Sequence, residues 1–408
     1  MKAKALAFAL LLGCAALASA QEAPKPSPFT FALHGFVSMS ACSQDGAYSL
    51  SECQQSLMAA AEPAADSNSL AFDVRQSRFN FSVKGPQVFA GATPTAVLEI
   101  DFFQGFGAGA FGDVSLLNRL RLAYSELNWG NHRLAFGQLN DLIIAMAPVS
   151  LSHIAFPLGY ETGNIGWRRP GIWGFHNLAV APDLKLELAW MVGRSQWNDA
   201  ATGIGVNAPN QPGGINQGEA SGTPALEGRV TATYAKLFNV WVAGHWNKVD
   251  LNGGGTGGGD EVTVQAVNGG AKLTFGPATV AATAFTGKNV GPLIGNLVQF
   301  NLGPANADVS AWGYWAQAGF NFTKELSAWA FYGQQKPDEA DAKAAQMARL
   351  ENKTTNVILQ YRDGGYGVSA EWINFKTTNA AYDAGTGAFT GSAEASVNQY
   401  IATATYFF

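Results

Sequence analysis

Arginine is the side chain whose type and spacing in this sequence could do chemistry. Arg119 and Arg121 stand two apart, Arg168 and Arg169 are adjacent, and Arg78, Arg133 and Arg229 each sit in a stretch that alternates polar and apolar residues. An arginine stays charged, and its planar fork matches a carboxylate. Several arginines around a narrow passage would lower the barrier for an anion. Glu99 and Asp101 repeat the two-residue spacing, while Asp141 and Glu161 are the acids of a moderately apolar loop, residues 139–165. Opposed to the arginines, these acids would set up a transverse field. The plainer reading of any one arginine is an internal ion pair with a shaping role only.

Covalent and metal chemistry has no comparable signature. The five histidines, at 34, 132, 153, 176 and 245, are scattered. No GxSxG, HExxH or CxxC occurs, so no catalytic residue, metal or cofactor is expected. Gly107, Gly109 and Gly112 do match GxGxxG, with Glu126 about where a ribose-binding acid would lie. The stretch before them alternates through Glu99 and Asp101, whereas the strand of a dinucleotide site is apolar almost throughout. A flexible glycine loop is expected there, and another at residues 251–261, LNGGGTGGGDE.

The N-terminus indicates the compartment. Lys2 and Lys4 precede the apolar stretch Ala5 to Leu12, and Ala18-Ser19-Ala20 forms a small-x-small cleavage site. Residues 1–20 read as a cleaved export signal. Leu11-Leu12-Gly13-Cys14 resembles a lipobox, but Ala18-Ser19-Ala20 is the better-formed site. Removing the signal leaves 23 bases against 30 acids, a net charge of −7 instead of −5. It also leaves two cysteines, Cys42 and Cys53, and an even pair in an oxidising compartment reads as one disulfide.

The elements that must position the arginines are strands. Runs with a period of two are joined by tight turns such as Asn128-Trp129-Gly130-Asn131, Gly276-Pro277 and Arg362-Asp363-Gly364-Gly365. Sixteen strands are predicted: 29–40, 70–85, 94–104, 117–128, 132–139, 165–177, 183–196, 225–237, 239–250, 262–275, 278–288, 308–322, 326–335, 353–362, 366–377 and 395–408. Short turns alternate with eight long connections, the last spanning 377–394. A soluble sandwich has no reason to sort its connections this way, whereas a transmembrane barrel has short periplasmic turns and long external loops. The fold class expected is thus an all-β, antiparallel, up-and-down transmembrane barrel. Residues 21–28 form a short periplasmic leader, and 29–408 a single barrel domain.

Composition agrees with this architecture. Only 13% of residues are charged, 12% are aromatic and 47 are glycine. The chain is too apolar for disorder, and it lacks the positive charge that nucleic acid would require. In the barrel reading, Leu98, Ile100, Leu120, Leu122, Leu186 and Leu188 face lipid. Glu99, Asp101, Arg119, Arg121, Lys185 and Glu187 face a lumen. Trp129, Phe238, Phe275, Phe322, Tyr361 and Phe408 lie near the short turns, as a girdle at the bilayer interface would.

The chain ends Tyr400-Ile-Ala-Thr-Ala-Thr-Tyr406-Phe407-Phe408 in mid-alternation. That end resembles the C-terminal strand of Gram-negative outer-membrane barrels. Together with the export signal and sixteen strands, the whole mature chain resembles the trimeric porin superfamily. Arg75-Gln76-Ser77-Arg78-Phe79-Asn80-Phe81, Lys84-Gly85-Pro86 and Asn118-Arg119-Leu120-Arg121-Leu122-Ala123-Tyr124 look most like dicarboxylate-channel (DcaP-like) porins. That group tends to carry a helical segment before the barrel, which residues 21–28 are too few to form.

The resemblance implies that Phe408 is an assembly signal, that the chain is a homotrimer, and that the third long loop, 139–165, folds into the lumen and narrows it. Arg78, Arg119, Arg121, Arg133, Arg168, Arg169 and Arg229 would then line the constriction with Glu99, Asp101, Asp141 and Glu161. Alternation lets only one of Arg168 and Arg169 face inward. The expected function is passive diffusion of small anionic or neutral solutes, with a mild carboxylate-type preference. The surroundings expected are a lipid bilayer with lipopolysaccharide at the outer face. A barrel enzyme or adhesin without open transport is the alternative.

Overall fold

Period-two alternation leaves one face of every strand apolar and the other polar, and a wall built that way can separate lipid from water only if it closes. The computed structural model of the protein describes residues 28–49, 53–61, 68–103, 116–195, 217–250, 261–299 and 308–408. The export signal, residues 21–27 of the leader, the Gly107–Gly112 motif and the 251–260 glycine tract lie outside the described residues. The wall begins with Thr30–Gln44 (β1), Ser69–Asp73 (β2), Arg78–Lys84 (β3), Thr93–Asp101 (β4), Arg119–Asn128 (β5), His132–Asn140 (β6), Arg168–Ala181 (β7) and Leu184–Gly193 (β8). It continues with Ala225–Tyr234 (β9), Phe238–Asp250 (β10), Glu261–Phe275 (β11), Ala278–Lys288 (β12), Ser310–Asn321 (β13), Leu326–Pro337 (β14), Arg349–Asp363 (β15), Tyr366–Tyr382 (β16) and Phe389–Phe407 (β17).

Every neighbouring pair is antiparallel, and the sheet closes where β1 meets β17, from Phe36 opposite Phe407 to Gln44 opposite Gln399. The sheet has 17 strands, but β2 and β3 both pair with β1, through Ser40–Gln44 and Thr30–Phe36 respectively. They are two halves of one wall strand, interrupted at Val74–Ser77, so the barrel has sixteen wall positions. The interruption is built, since Ser77 Oγ accepts from the Ser38 backbone N–H at 3.0 Å.

The two faces follow the alternation. Leu98 and Phe81 are each 45% exposed on the outer surface, whereas Asp101 and Arg121 are buried inside. Trp129, Phe275, Phe322, Tyr361 and Phe408 are exposed near short turns, the arrangement of an interfacial girdle. None of the helices found among the described residues is long and apolar enough to cross a membrane.

The strand ends depart from the expected bounds in two instructive places. The eighth connection, expected over 377–394, is mostly ladder: Thr377 pairs with Ala395 and Ala381 with Gly391. Small residues give no apolar signal there, yet backbone pairing continues to the turn, where Asp383 Oδ1 accepts from the N–H groups of Gly385 and Thr386. The strand expected from 165 starts at Arg168 instead. The preceding residues close the base of the loop: Asp141 N–H donates to the Trp167 carbonyl and Trp167 N–H to Asp141 Oδ2, both at 2.9 Å.

A bulge separates β4 from β5. Glu99 lies opposite Leu122 and Ile100 opposite Leu120, which leaves Arg121 as the extra residue.

Candidate functional site

The loop between β6 and β7 crosses the inside of the barrel, and its polar contacts map the crossing. The Leu142 and Ile143 N–H groups donate to Glu227 on β9. The Ile143 carbonyl accepts from Asn268 on β11 at 2.9 Å, and Gln317 on β13 makes two bonds to the Val149 backbone, at 2.7 and 2.8 Å. Glu371 on β16 accepts from Ser150 Oγ, Leu151 N–H and Ser152 N–H at 2.8–3.0 Å. A segment bonded to inward side chains on four separated strands must lie in the lumen. At Gly163 it rests flat on the wall: a Cβ there would sit 2.4 Å from the Tyr314 carbonyl carbon, so only glycine fits.

Two further connections fold inward with it, which the sequence pattern did not indicate. In the first, Gln54 Nε2 donates to Ser40 Oγ at 2.7 Å, and Cys53 is joined to Cys42 by a disulfide with a Cα–Cα distance of 5.5 Å. In the second, Arg349 Nε donates to the Leu297 carbonyl at 2.9 Å. Leu57, Met58, Tyr160, Trp167, Ile294 and Leu297, from all three segments, form one buried cluster. Apolar burial of this kind stabilises by ~25 cal/mol per Å² of surface removed from water.

Against this plug stands the arginine wall. Arg119 binds Asp101 through two bonds, at 2.9 and 2.7 Å. Arg121 reaches both Glu99, at 2.8 Å, and Asp101, at 2.9 Å. The bulge explains how two arginines of one strand converge on two acids of the next. Arg78 Nε lies 3.7 Å from Glu99, and its Nε and one terminal nitrogen are buried without a hydrogen-bond partner. Arg168 is buried with its guanidinium 3.9 Å from the centre of the Trp167 ring, and no described carboxylate is bonded to it. Arg119 lies over Phe156 and Trp167, at 4.8 and 5.4 Å. Three guanidinium groups thus contact two carboxylates, with Arg168 beside Arg121 on one cavity, and aromatic faces hold three of the four, Arg78 lying 5.4 Å from the centre of the Phe36 ring.

The remaining candidates lie elsewhere. Arg133 pairs with Glu126 at 2.9 Å, and Arg229 pairs with Glu187 at 2.9 Å in a chamber of about 320 Å³ that Lys185 also lines. Arg169 does not face open space: it is wholly buried and binds Asp141 through bonds of 2.6 and 2.8 Å.

The two loop acids correct the expected transverse field, because neither stands across a passage from the arginines. Burial works against the charge of Asp141, but Arg169 overrides it and holds the carboxyl below the usual range. Glu161 is buried against Gln335 and Asn352. Burial pushes its carboxyl well above the usual range, with the charge of Arg349 only partly offsetting this. Both acids serve the fit of the loop.

A cavity of about 210 Å³ lies between loop and wall, lined by Arg121 and Arg168 and by loop residues including Ile144, Met146, Ile154 and Pro157. Ala145 borders both this cavity and the 320 Å³ chamber. Sequence reasoning missed the aromatic supports Phe156 and Trp167 and the anchors Glu227 and Glu371. For Glu371 the available signal was an inward carboxylate on a strand with no arginine two residues away.

A hydrolase-like set, Ser152, His153 and Glu371, does meet near the loop. Ser152 Oγ lies 2.9 Å from His153 Nδ1, but Glu371 bonds to the loop backbone and to Ser150, while His153 Nε2 faces the Ser56 carbonyl. All three residues are buried, so the set closes the loop packing and presents no nucleophile to a substrate.

No family model and no curated protein sequence matches the chain. Solved structures do match it along nearly its whole length. The outer membrane channel DcaP of Acinetobacter baumannii superposes with a TM-score of 0.70 at 16% identity, covering 95% of this chain and 100% of that one. An anion-selective porin from Comamonas acidovorans gives 0.56 at 12% identity over 93% and 100%. The trimer form of OmpT from Vibrio cholerae gives 0.54 at 12% identity over 94% and 100%. The fold is that of an outer-membrane porin. Of these three structures, the DcaP channel superposes with the highest TM-score.

Proposed function

We propose that the protein is a passive outer-membrane channel for small hydrophilic solutes with a mild preference for anions. The observation that carries this reading is the cluster of Arg78, Arg119, Arg121 and Arg168 around Glu99 and Asp101, beside the loop that narrows the barrel. The local charge is net positive, while the chain as a whole is net negative. In a narrow, weakly screened passage the local sign decides selectivity. One of the structural neighbours is itself described as anion-selective, and another was solved as a trimer, which supports a homotrimer here. The reading includes export by residues 1–20, insertion with the short turns on the periplasmic side, and lipopolysaccharide around the outer rim.

Reversal potential across a planar bilayer in a KCl gradient tests it. The expected sign is that of chloride moving faster than potassium. A cation-selective pore overturns the preference, and a purified, folded barrel without conductance overturns the channel reading.

A further inference from the structure

The cavity beside the loop has two unlike sides. The wall contributes Arg121, and Arg168 joins it on the face of Trp167. The loop contributes apolar side chains: Ile144, Met146, Ile154 and Pro157 are half-buried and border the cavity. Nothing about conducting water calls for this, because apolar groups left facing water gain nothing. Backbone N–H groups of Leu142, Val149 and Leu151 in the loop are spent on bonds to wall side chains, Glu227, Gln317 and Glu371. Arg168 is stacked through its face, and guanidinium N–H donors lie in the plane of the group, so stacking leaves them available to a carboxylate.

We infer that this cavity recognises amphipathic monocarboxylates, with one carboxylate on Arg121 and Arg168 and a compact aryl or branched alkyl body against the loop. The inference rests on the channel reading above and names its solute class. A volume of about 210 Å³ is below the ~300–1,000 Å³ of drug-sized sites, so it suits one small acid at a time. A dianion of similar length fits worse. Its second carboxylate would meet Ile144, Met146 and Ile154, losing hydration with no partner in return.

The test uses the purified mature chain in planar bilayers and measures block of the chloride current by potassium benzoate, acetate and succinate. Benzoate is expected to halve the current at a concentration about tenfold lower than either of the others, as burying part of one ring would give. Met146→Gln and Ile154→Asn, made separately, are expected to bring the benzoate-to-acetate ratio close to one, and Met146→Leu to keep it. Equal block by benzoate and acetate, stronger block by succinate, or a ratio unchanged in both polar variants overturns the inference. The KCl reversal potential on the same membranes separates the two readings. Lost anion preference counts against the channel's selectivity, whereas intact preference with equal block counts against this solute class alone.

Discussion

Arg169 and Asp141 face each other at the base of the inward loop, joined by two charge-assisted bonds with both side chains fully shielded from water. Breaking such a pair from one side strands the other charge, at a cost of about 3–5 kcal/mol. Asp141→Asn is therefore expected to lower the thermal midpoint and to add open-channel noise as the loop base loosens. Single-channel recording and thermal unfolding check this. The pH dependence follows from the lowered Asp141 carboxyl: its stabilisation is present above the unfolded value, about 3.9, and is lost only as pH falls through the lower folded value. A quiet current at pH 5 that stays quiet in the variant contradicts this role.

Glu161 works in the opposite sense. Its folded carboxyl is raised well above its ordinary value by burial, so its stabilisation is complete below the unfolded value and declines as pH rises towards the folded one. Glu161→Gln keeps the shape and removes the proton equilibrium. The variant is expected to gain thermal stability over the parent at pH 8 and to gain little at pH 4. An equal difference at both pH values would refute the burial argument.

Glu371 holds the loop midpoint through Ser150, Leu151 and Ser152. Glu371→Ala leaves buried donors unpaired, at about 1–3 kcal/mol for each group. Hydrogen exchange at the Leu151 and Ser152 amides is expected to accelerate while amides of β10 stay protected. Uniform acceleration over the whole barrel would indicate global destabilisation instead.

The arginine wall predicts substitutions of opposite sign. Arg168→Gln removes a positive charge that is bonded to no described carboxylate and is expected to lower the chloride-to-potassium permeability ratio. Glu99→Gln removes one of the two carboxylates that Arg121 binds and is expected to raise it. Both shifts should shrink as KCl increases from 0.1 to 1 M, because the screening length falls from about 10 Å to about 3 Å. Reversal potentials at both salts decide the matter, and shifts of the same sign in the two variants would contradict the wall as the source of selectivity.

The barrel was legible in the sequence because alternation is a one-dimensional signal. Leu98, Glu99, Ile100 and Asp101 announce their faces without reference to any other strand. The arginine cluster was partly legible for the same reason, since Arg119 and Arg121 share a parity with each other and with Glu99 and Asp101. The destinations of the loop acids were not. Asp141 and Glu161 belong to no periodic segment, and their places depend on the three-dimensional path that puts Asp141 beside Arg169 and Glu161 beside Asn352. The inward folding of residues 53–59 and 289–299 was hidden likewise: Leu57, Ile294 and Leu297 find each other only after the wall has closed.

That closure bears on how the protein can be made. Phe36 and Phe407 are neighbours in space and nearly the full chain apart in sequence. Until the final strand arrives, β1 and the latest strand formed both present unpaired backbone along their length. Such edges invite pairing with other chains, and contacts between distant parts of a sequence form slowly. A polypeptide stopped a few residues short of Phe408 would lose part of its last ladder and leave a gap in the one seam on which all the other strands depend. For this molecule, protection of an unfinished edge before closure is a requirement set by topology, and the final residues carry a burden out of proportion to their number.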